Sequence, residues 1–200
     1  MGRKPVAFKE SRWGGLVFLY FLFAALSSVM PEENVLLLVI NLAVATVLSL
    51  VTLIIWKVYQ NDSKRYFSLS SYIMLMSSAY FWCTPIFRQL VGTIYFWLVI
   101  ALLFVIILPT HLFKDRLLKF IKQPYKYGLF GKFFLIFGII VAYFASYVWI
   151  ISIAAYNQVN NLGMLGSLAV FGIAVIFLFL APIMLNKQED VERIEKSVNS

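Results

Sequence analysis

Long stretches without a single Asp, Glu, Lys or Arg are the feature of this sequence that most constrains its fold. Because a helix needs roughly 20 predominantly apolar residues to cross the hydrocarbon core of a bilayer, four of these stretches each fit one crossing and the longest fits two. The stretches are 13–30, 34–56, 66–87, 89–108 and 133–186. A polar cluster at 157–161, followed by Gly163, divides the last one. Spans are therefore predicted near 14–30, 34–56, 67–86, 90–108, 133–156 and 162–185.

Composition supports a membrane fold. Of the 200 residues 62% are hydrophobic and 13% are charged, about half the charged fraction of a typical soluble domain. A water-soluble chain of this length has too large a surface-to-volume ratio to hide so much apolar area. The predicted fold class is all-α: a polytopic membrane protein whose single domain is a bundle of about six transmembrane helices.

The positions of the cations predict an orientation. If the N-terminus is cytoplasmic, sixteen of the seventeen Lys and Arg residues fall on the cytoplasmic side and only Arg88 falls outside. Bias of Lys and Arg in short loops sets membrane topology. We therefore expect an N-in/C-in protein of the plasma membrane, with a cytoplasmic tail at 186–200.

The net charge of +8 does not predict a nucleic-acid partner, because the cations alternate with apolar runs instead of forming one basic face. The expected partners are the lipid bilayer and, at the cytoplasmic face, anionic headgroups. A membrane or cytoplasmic protein is a further candidate partner.

No constellation for chemistry is present at membrane depth. The predicted spans contain no Asp, Glu, Lys or His, and the chain has one cysteine, Cys83, and one histidine, His111. Nucleophilic, acid–base and metal-assisted sites need several such groups together. We expect no catalytic residue, cofactor or metal; a lipid-modifying enzyme is a distant alternative.

Polar residues within the spans have two interpretations. Ser70, Ser77 and Thr84 recur every seven residues and so share one face of the third predicted helix, and Asn41 is the one amide inside a span. The face either packs against other helices or lines a polar cavity, and packing is favoured because interhelical hydrogen bonds are common. Small residues spaced by four, such as Asn41, Ala45 and Ser49, likewise indicate packing seams, unless one receives a partner.

The connection between the fourth and fifth spans is basic and amphipathic. An interfacial helix is predicted near 111–123, with Phe113, Leu117, Phe120 and Ile121 as its apolar stripe. Its candidate docking residues are Lys114, Arg116, Lys119 and Lys122. The segment is interpreted as a topology determinant lying at the membrane surface, or alternatively as a coupling helix that docks a cytoplasmic protein.

Two functions from different classes follow. The favoured hypothesis is a non-enzymatic accessory, regulatory or immunity-type component that acts through helix–helix and cytoplasmic-face contacts. The alternative is a small permease, or the membrane subunit of a transporter energised by a separate protein.

Overall fold

The computed structural model describes residues 5–30, 32–122, 162–186 and 191, and within them the chain forms helices and no strands. The long helices are α1 (Trp13–Val29), α2 (Val35–Tyr59), α3 (Ser63–Leu90), α4 (Ile94–Leu112), α5 (Lys114–Lys122) and α6 (Leu162–Leu180). Short 3-10 helices cover Phe8–Glu10 and Ala181–Leu185. The all-α class is confirmed for the described residues.

Three of these helices are long and apolar enough to cross a membrane, namely Val35–Tyr59, Ile94–Leu112 and the stretch Gly166–Leu185. Helix α1 is apolar but shorter, with 17 residues. The 28-residue α3 is long enough but is rich in hydroxyl side chains, which lower its hydropathy. Six crossings and the N-in/C-in orientation stay predictions.

Helix α3 lies at the centre of the described bundle and packs against its neighbours on two opposite faces. On one face, Phe81 joins Tyr20 and Ala24 of α1 and Ala45 of α2 in a buried cluster. On the other, Ala79 and Cys83 pack against Ile106 of α4 and against α6. A central helix contacts protein on most sides, so it tolerates polar side chains that a lipid-facing helix could not carry.

Hydrogen bonds between the ends of the helices show that the long helices alternate in direction. At one end, Tyr66 near the start of α3 donates to the carbonyl of Ser11 just before α1. Gln60, after α2, accepts a hydrogen bond from the Val6 amide at 2.7 Å. At the other end, Gln89 of α3 donates to Ser167 near the start of α6 at 2.9 Å. Helices α1 and α3 therefore run in one direction, and helices α2, α4 and α6 run in the opposite direction.

This alternation gathers the described cations at one end of the bundle. Nine of the ten lie at the end that holds the first turns of α1 and α3 and the last turns of α2 and α4, which we call the basic end. The tenth, Arg88, lies at the opposite end together with Glu32 and Glu33. The members of the basic end are Lys9, Arg12, Lys57, Lys64, Arg65, Lys114, Arg116, Lys119 and Lys122.

The first two predicted spans agree closely with α1 and α2, whereas the next two differ at their ends. Helix α3 starts four residues before the predicted 67, because Asp62 caps it by accepting from the Arg65 amide at 3.3 Å. Helix α4 starts at Ile94 instead of 90, after a turn in which Gly92 has a φ of 82°. Glycine adopts this left-handed conformation without the penalty that a Cβ brings.

Two prolines lie inside helices: Pro85 in α3 and Pro109 in α4. Helix α4 continues past its proline, with the Phe113 amide bonding the Pro109 carbonyl at 2.8 Å. The predicted interfacial helix of 111–123 is shorter as a result, since 111 and 112 belong to α4. The predicted span 133–156 lies outside the described residues, as does the tail beyond Asn186 except Val191.

Candidate functional site

The buried amide of Asn41 joins α1 to α2. Its Nδ2 donates to Ser27 Oγ at 3.0 Å and to Ser28 Oγ at 2.9 Å, and both hydroxyls in turn donate to the Ala24 carbonyl. All three polar side chains are buried. Because every donor in this set is used, the arrangement fixes the register of the helix pair without leaving a polar group exposed to hydrocarbon.

The three hydroxyls predicted to share a face of α3 have different surroundings. Ser77 is buried and donates to the Met74 carbonyl at 2.9 Å, while Thr84 is half-buried and donates to the Tyr80 carbonyl at 3.0 Å. Ser70 is buried, and its Oγ makes no hydrogen bond within the part of the chain that the structure describes. Ser70 and Ser77 share the face that carries Phe81, which packs against α1 and α2.

Asn41 is close to this face at one point only. The Tyr80 hydroxyl donates to Asn41 Oδ1 at 3.5 Å, a long and therefore weak bond. The four residues predicted for a polar face or cavity thus do not converge on one point: Asn41 bonds α1, Ser77 and Thr84 bond their own helix, and Ser70 has no hydrogen-bond partner among the described residues.

Two buried tyrosines provide interhelical hydrogen bonds that the sequence analysis missed. Tyr20 of α1 and Thr52 of α2 pair through their hydroxyls at 3.1 Å, and Tyr66 of α3 donates to the Ser11 carbonyl at 2.6 Å. Both tyrosines have no exposed surface. Tyr66 lies just before a predicted span, a position typical of an interfacial aromatic residue. Only the tertiary structure shows that its ring is enclosed.

Arg88 binds backbone carbonyls at the end of α1. Its Nη1 donates to the backbone carbonyls of Met30 and Glu32 at 2.9 Å each, and to that of Ser28 at 3.4 Å. These carbonyls lie at and just beyond the C-terminus of α1, where the last turn leaves acceptors without intrahelical donors. A cation is also favourable at that end of the helix dipole. Arg88 therefore closes the end of the bundle opposite the basic end.

The N-terminal segment is attached to the basic end by aromatic side chains. Trp56 of α2 donates from Nε1 to the Val6 carbonyl at 3.2 Å, and the Phe8 ring lies against Trp56 at a centroid distance of 5.1 Å. The guanidinium of Arg12 lies 5.5 Å from the centroid of Phe67. Indole and phenyl rings beside cations are typical of the depth at which membrane meets water.

His111, the single histidine, connects α4 to α3. Its Nε2 is 3.1 Å from the Tyr72 hydroxyl and its Nδ1 is 2.8 Å from the Ile107 carbonyl. Since a carbonyl can only accept, Nδ1 carries a proton. In the described part of the chain no group of three His, Cys, Asp or Glu side chains is arranged to hold a metal ion.

Helix α5 carries the residues predicted for cytoplasmic docking. Arg116 is exposed, while Lys114 and Lys119 are half-buried; Lys122 is the last residue of the helix. Leu117 and Leu118 are buried, and the helix packs against Ala181–Leu185. The predicted stripe is therefore only partly right: it includes the buried Leu117 and omits Leu118, and its member Phe113 is 42% exposed.

Comparison of the chain with protein-family models, with curated proteins and with solved structures finds no match.

Proposed function

We propose that this protein is a six-span plasma-membrane protein with both termini in the cytoplasm. The observation that carries the proposal is the collection of nine of the ten described cations at one end of an alternating bundle. Short-loop cations are retained on the cytoplasmic side, so the basic end is the cytoplasmic one.

The directions of α4 and α6 support the fifth predicted span, 133–156. Both helices run from the end that holds Arg88 towards the basic end, and α5 follows α4 at the basic end. Lys122 and Leu162 therefore lie at opposite ends of the described bundle, and a crossing between them is part of the proposal. The chain between them contains the charge-free residues 133–156, which are numerous enough for one crossing.

Within the membrane the protein acts as a non-enzymatic accessory, regulatory or immunity-type component, through helix–helix contacts and its cytoplasmic face. Polar side chains of the α1–α2–α3 interface support this role, because most of them bond neighbouring helices or their own backbone. Groups committed to packing in this way are not available to coordinate a substrate or to relay protons.

A second candidate, a small permease or the membrane subunit of a transporter energised by another protein, has one observation in its favour. Ser70 Oγ is buried and unpaired in the described part of the structure. A buried hydroxyl without a partner loses roughly 1–3 kcal/mol relative to a satisfied one, and a hydrated cavity would remove that loss.

Thiol labelling separates the two candidates. In a Cys83→Ser background, Ser70→Cys and Ser77→Cys are treated with a water-soluble maleimide in native membranes made permeable to the reagent. The exposed loop variant Val91→Cys is the matched positive control. The accessory role predicts labelling at 91 only; labelling at 70 and 77 at a rate comparable to the control identifies an aqueous cavity and favours transport.

The accessory role also predicts a stoichiometric protein partner. Full-length protein extracted in a mild detergent should carry a second polypeptide in a fixed ratio when its mass is measured intact. If the chain is recovered alone from native membranes under conditions that preserve other membrane complexes, the accessory role is wrong.

A further inference from the structure

Helix α5 is held at the level where two apolar helices end. It begins two residues after the last residue of α4, and it packs against Ala181–Leu185, the end of the apolar stretch Gly166–Leu185. The side chain of Asn186 also donates to the Lys114 carbonyl at 3.5 Å. With these apolar stretches in the hydrocarbon core, α5 lies at the depth of the lipid headgroups.

Protein, not lipid, covers the described apolar side of α5. Leu117 has no exposed surface and Leu118 is 6% exposed, although a freely binding amphipathic helix would bury these side chains in the acyl chains. The helix is therefore anchored to the bundle through Leu117 and Leu118. The position of its cations is therefore set by contacts with the bundle and not by insertion of the helix into lipid.

Cations outnumber acids on α5. The nine-residue helix has four cations, Lys114, Arg116, Lys119 and Lys122, and one acid, Asp115. Arg116 is exposed and lies 5.4 Å from the centroid of the Phe113 ring, which limits its range of positions. Neither Arg116 nor Lys119 forms an ion pair with another described residue.

We infer that α5 is a preformed docking surface for the headgroups of anionic phospholipids, with Arg116 and Lys119 as its principal contacts. The inference rests on the proposed membrane orientation and deepens it by naming the ligand. A guanidinium binds a phosphate diester through two parallel hydrogen bonds, and an ammonium adds a point charge beside it. The positive charge of α5 attracts either an anionic headgroup or an acidic protein, and its depth at the level where two apolar helices end favours the headgroup.

The test is competition between lipids for the purified full-length protein. In a mild detergent, bound phosphatidylglycerol and phosphatidylcholine are counted by intact-protein mass spectrometry. We expect a preference for phosphatidylglycerol in the wild type. Since each cation near an anionic surface contributes roughly a five-fold change in partition, removing two cations in Arg116→Gln/Lys119→Gln should lower this preference by a factor on the order of 25.

Two matched variants make the result specific. Lys9→Gln/Lys57→Gln removes the same charge from exposed positions elsewhere at the basic end and should keep the preference. Arg116→Lys/Lys119→Arg keeps the charge on α5 and should also keep it, which shows that the Gln variant loses charge and not folding. Equal losses in both Gln variants, or no preference in the wild type, would overturn the inference.

A competing acidic peptide provides the remaining outcome. The concentration of poly-glutamate carboxylates that displaces phosphatidylglycerol is compared with the concentration of phosphatidylglycerol needed for binding. If the carboxylate concentration is the lower of the two, α5 is a protein-docking surface and the lipid assignment is wrong. Lipid binding in detergent does not depend on which side of the membrane α5 faces. Its failure therefore contradicts this inference alone, whereas external exposure of α5 in intact cells contradicts the proposed orientation.

Discussion

At the scale of single residues, the described interior shows how an apolar chain accommodates its few polar groups. Asn41 uses both amide hydrogens on the hydroxyls of α1, and Arg88 uses its guanidinium on backbone carbonyls at the end of the same helix. In hydrocarbon a polar group without a partner costs several kcal/mol. Each contact therefore defines which parts of α1, α2 and α3 lie together.

Replacing Asn41 should weaken the α1–α2 pair. Asn41→Leu keeps the approximate size and removes both donors, and we expect a loss of about 1 kcal/mol in the free energy of unfolding, as is typical of interhelical hydrogen bonds in membranes. Reversible unfolding in mixed micelles measures it. Thr46→Val is the control on the same helix, because Thr46 bonds only its own backbone. If Asn41→Leu and Thr46→Val are equally stable, the hydrogen bonds of Asn41 do not stabilise the α1–α2 pair.

Replacing Arg88 should loosen the end of the bundle opposite the basic end. Arg88→Gln removes a charged donor from three carbonyls, and hydrogen bonds to charged groups contribute roughly 1.5–3 kcal/mol when buried. The site is part-exposed, so the loss of stabilisation should be near or below the lower end of this range. Hydrogen exchange of the amides near 28–34 should become faster. Exposed Arg116, replaced by Gln, is the control: if both substitutions leave these amides equally protected, Arg88 does not close this end.

At the scale of helices, α3 is the element that organises the described structure. Its two faces pack against α1–α2 and against α4–α6, and small residues allow the second contact to be close. Ala79 is 1% exposed at that contact, where it meets Ala174 and Val175 of α6. Small side chains at a helix interface let two backbones approach and gain packing energy in a solvent that supplies no hydrophobic drive.

Enlarging Ala79 should separate α3 from α6. Ala79→Leu adds a branched side chain to a filled contact, and overpacking of this kind costs roughly 1–3 kcal/mol. The free energy of unfolding in mixed micelles reports the loss. Ala101→Leu makes the same chemical change at an exposed position of α4 and should be near neutral. If Ala79→Leu lowers the free energy of unfolding no more than Ala101→Leu does, the contact between α3 and α6 is not tightly packed.

Sequence patterns predicted helices better than helix ends, and helix ends better than contacts. Charge-free runs located α1 and α2 closely because acids, cations and the Asn34 cap border them. The predicted fourth span ends at 108, just before Pro109, yet a proline removes only its own donor, and α4 continues to Leu112 with the Phe113 amide bonded to the Pro109 carbonyl. The small-residue spacing of Asn41, Ala45 and Ser49 did indicate a buried seam.

The candidate sites were predictable only as residue types. The hydroxyls of α3 were identified, but Ser70, Ser77 and Thr84 differ in burial and in hydrogen bonding because neighbouring helices cover α3 unevenly. Tyr66–Ser11 and Tyr72–His111 join positions 55 and 39 residues apart. No local periodicity contains information about such pairs, since they depend on the order in which helices pack.

At the scale of the whole molecule, the distribution of cations agrees with the directions of the helices. The described helices alternate, and nine of the ten described cations collect where α1 and α3 begin. Of the five described acids, Glu10, Asp62 and Asp115 lie at that same end, and Glu32 and Glu33 lie at the opposite end. An alternating bundle with its cations at one end is the arrangement expected if that end remains in the cytoplasm. The proposed role of the cytoplasmic face depends on this orientation, whereas the proposed lipid contact of α5 depends on the depth of the helix and not on the side it faces.

The most direct measurement of it is labelling of single cysteines in intact and permeabilised cells with a membrane-impermeant thiol reagent. In a Cys83→Ser background, Glu33→Cys and Val91→Cys mark the end that holds Arg88, and Gln60→Cys and Arg116→Cys mark the basic end. We predict that positions 33 and 91 react in intact cells and that positions 60 and 116 react only after permeabilisation. Reaction of position 116 or 60 in intact cells, or equal reaction at both ends, would contradict a bundle that crosses the membrane with its basic end in the cytoplasm.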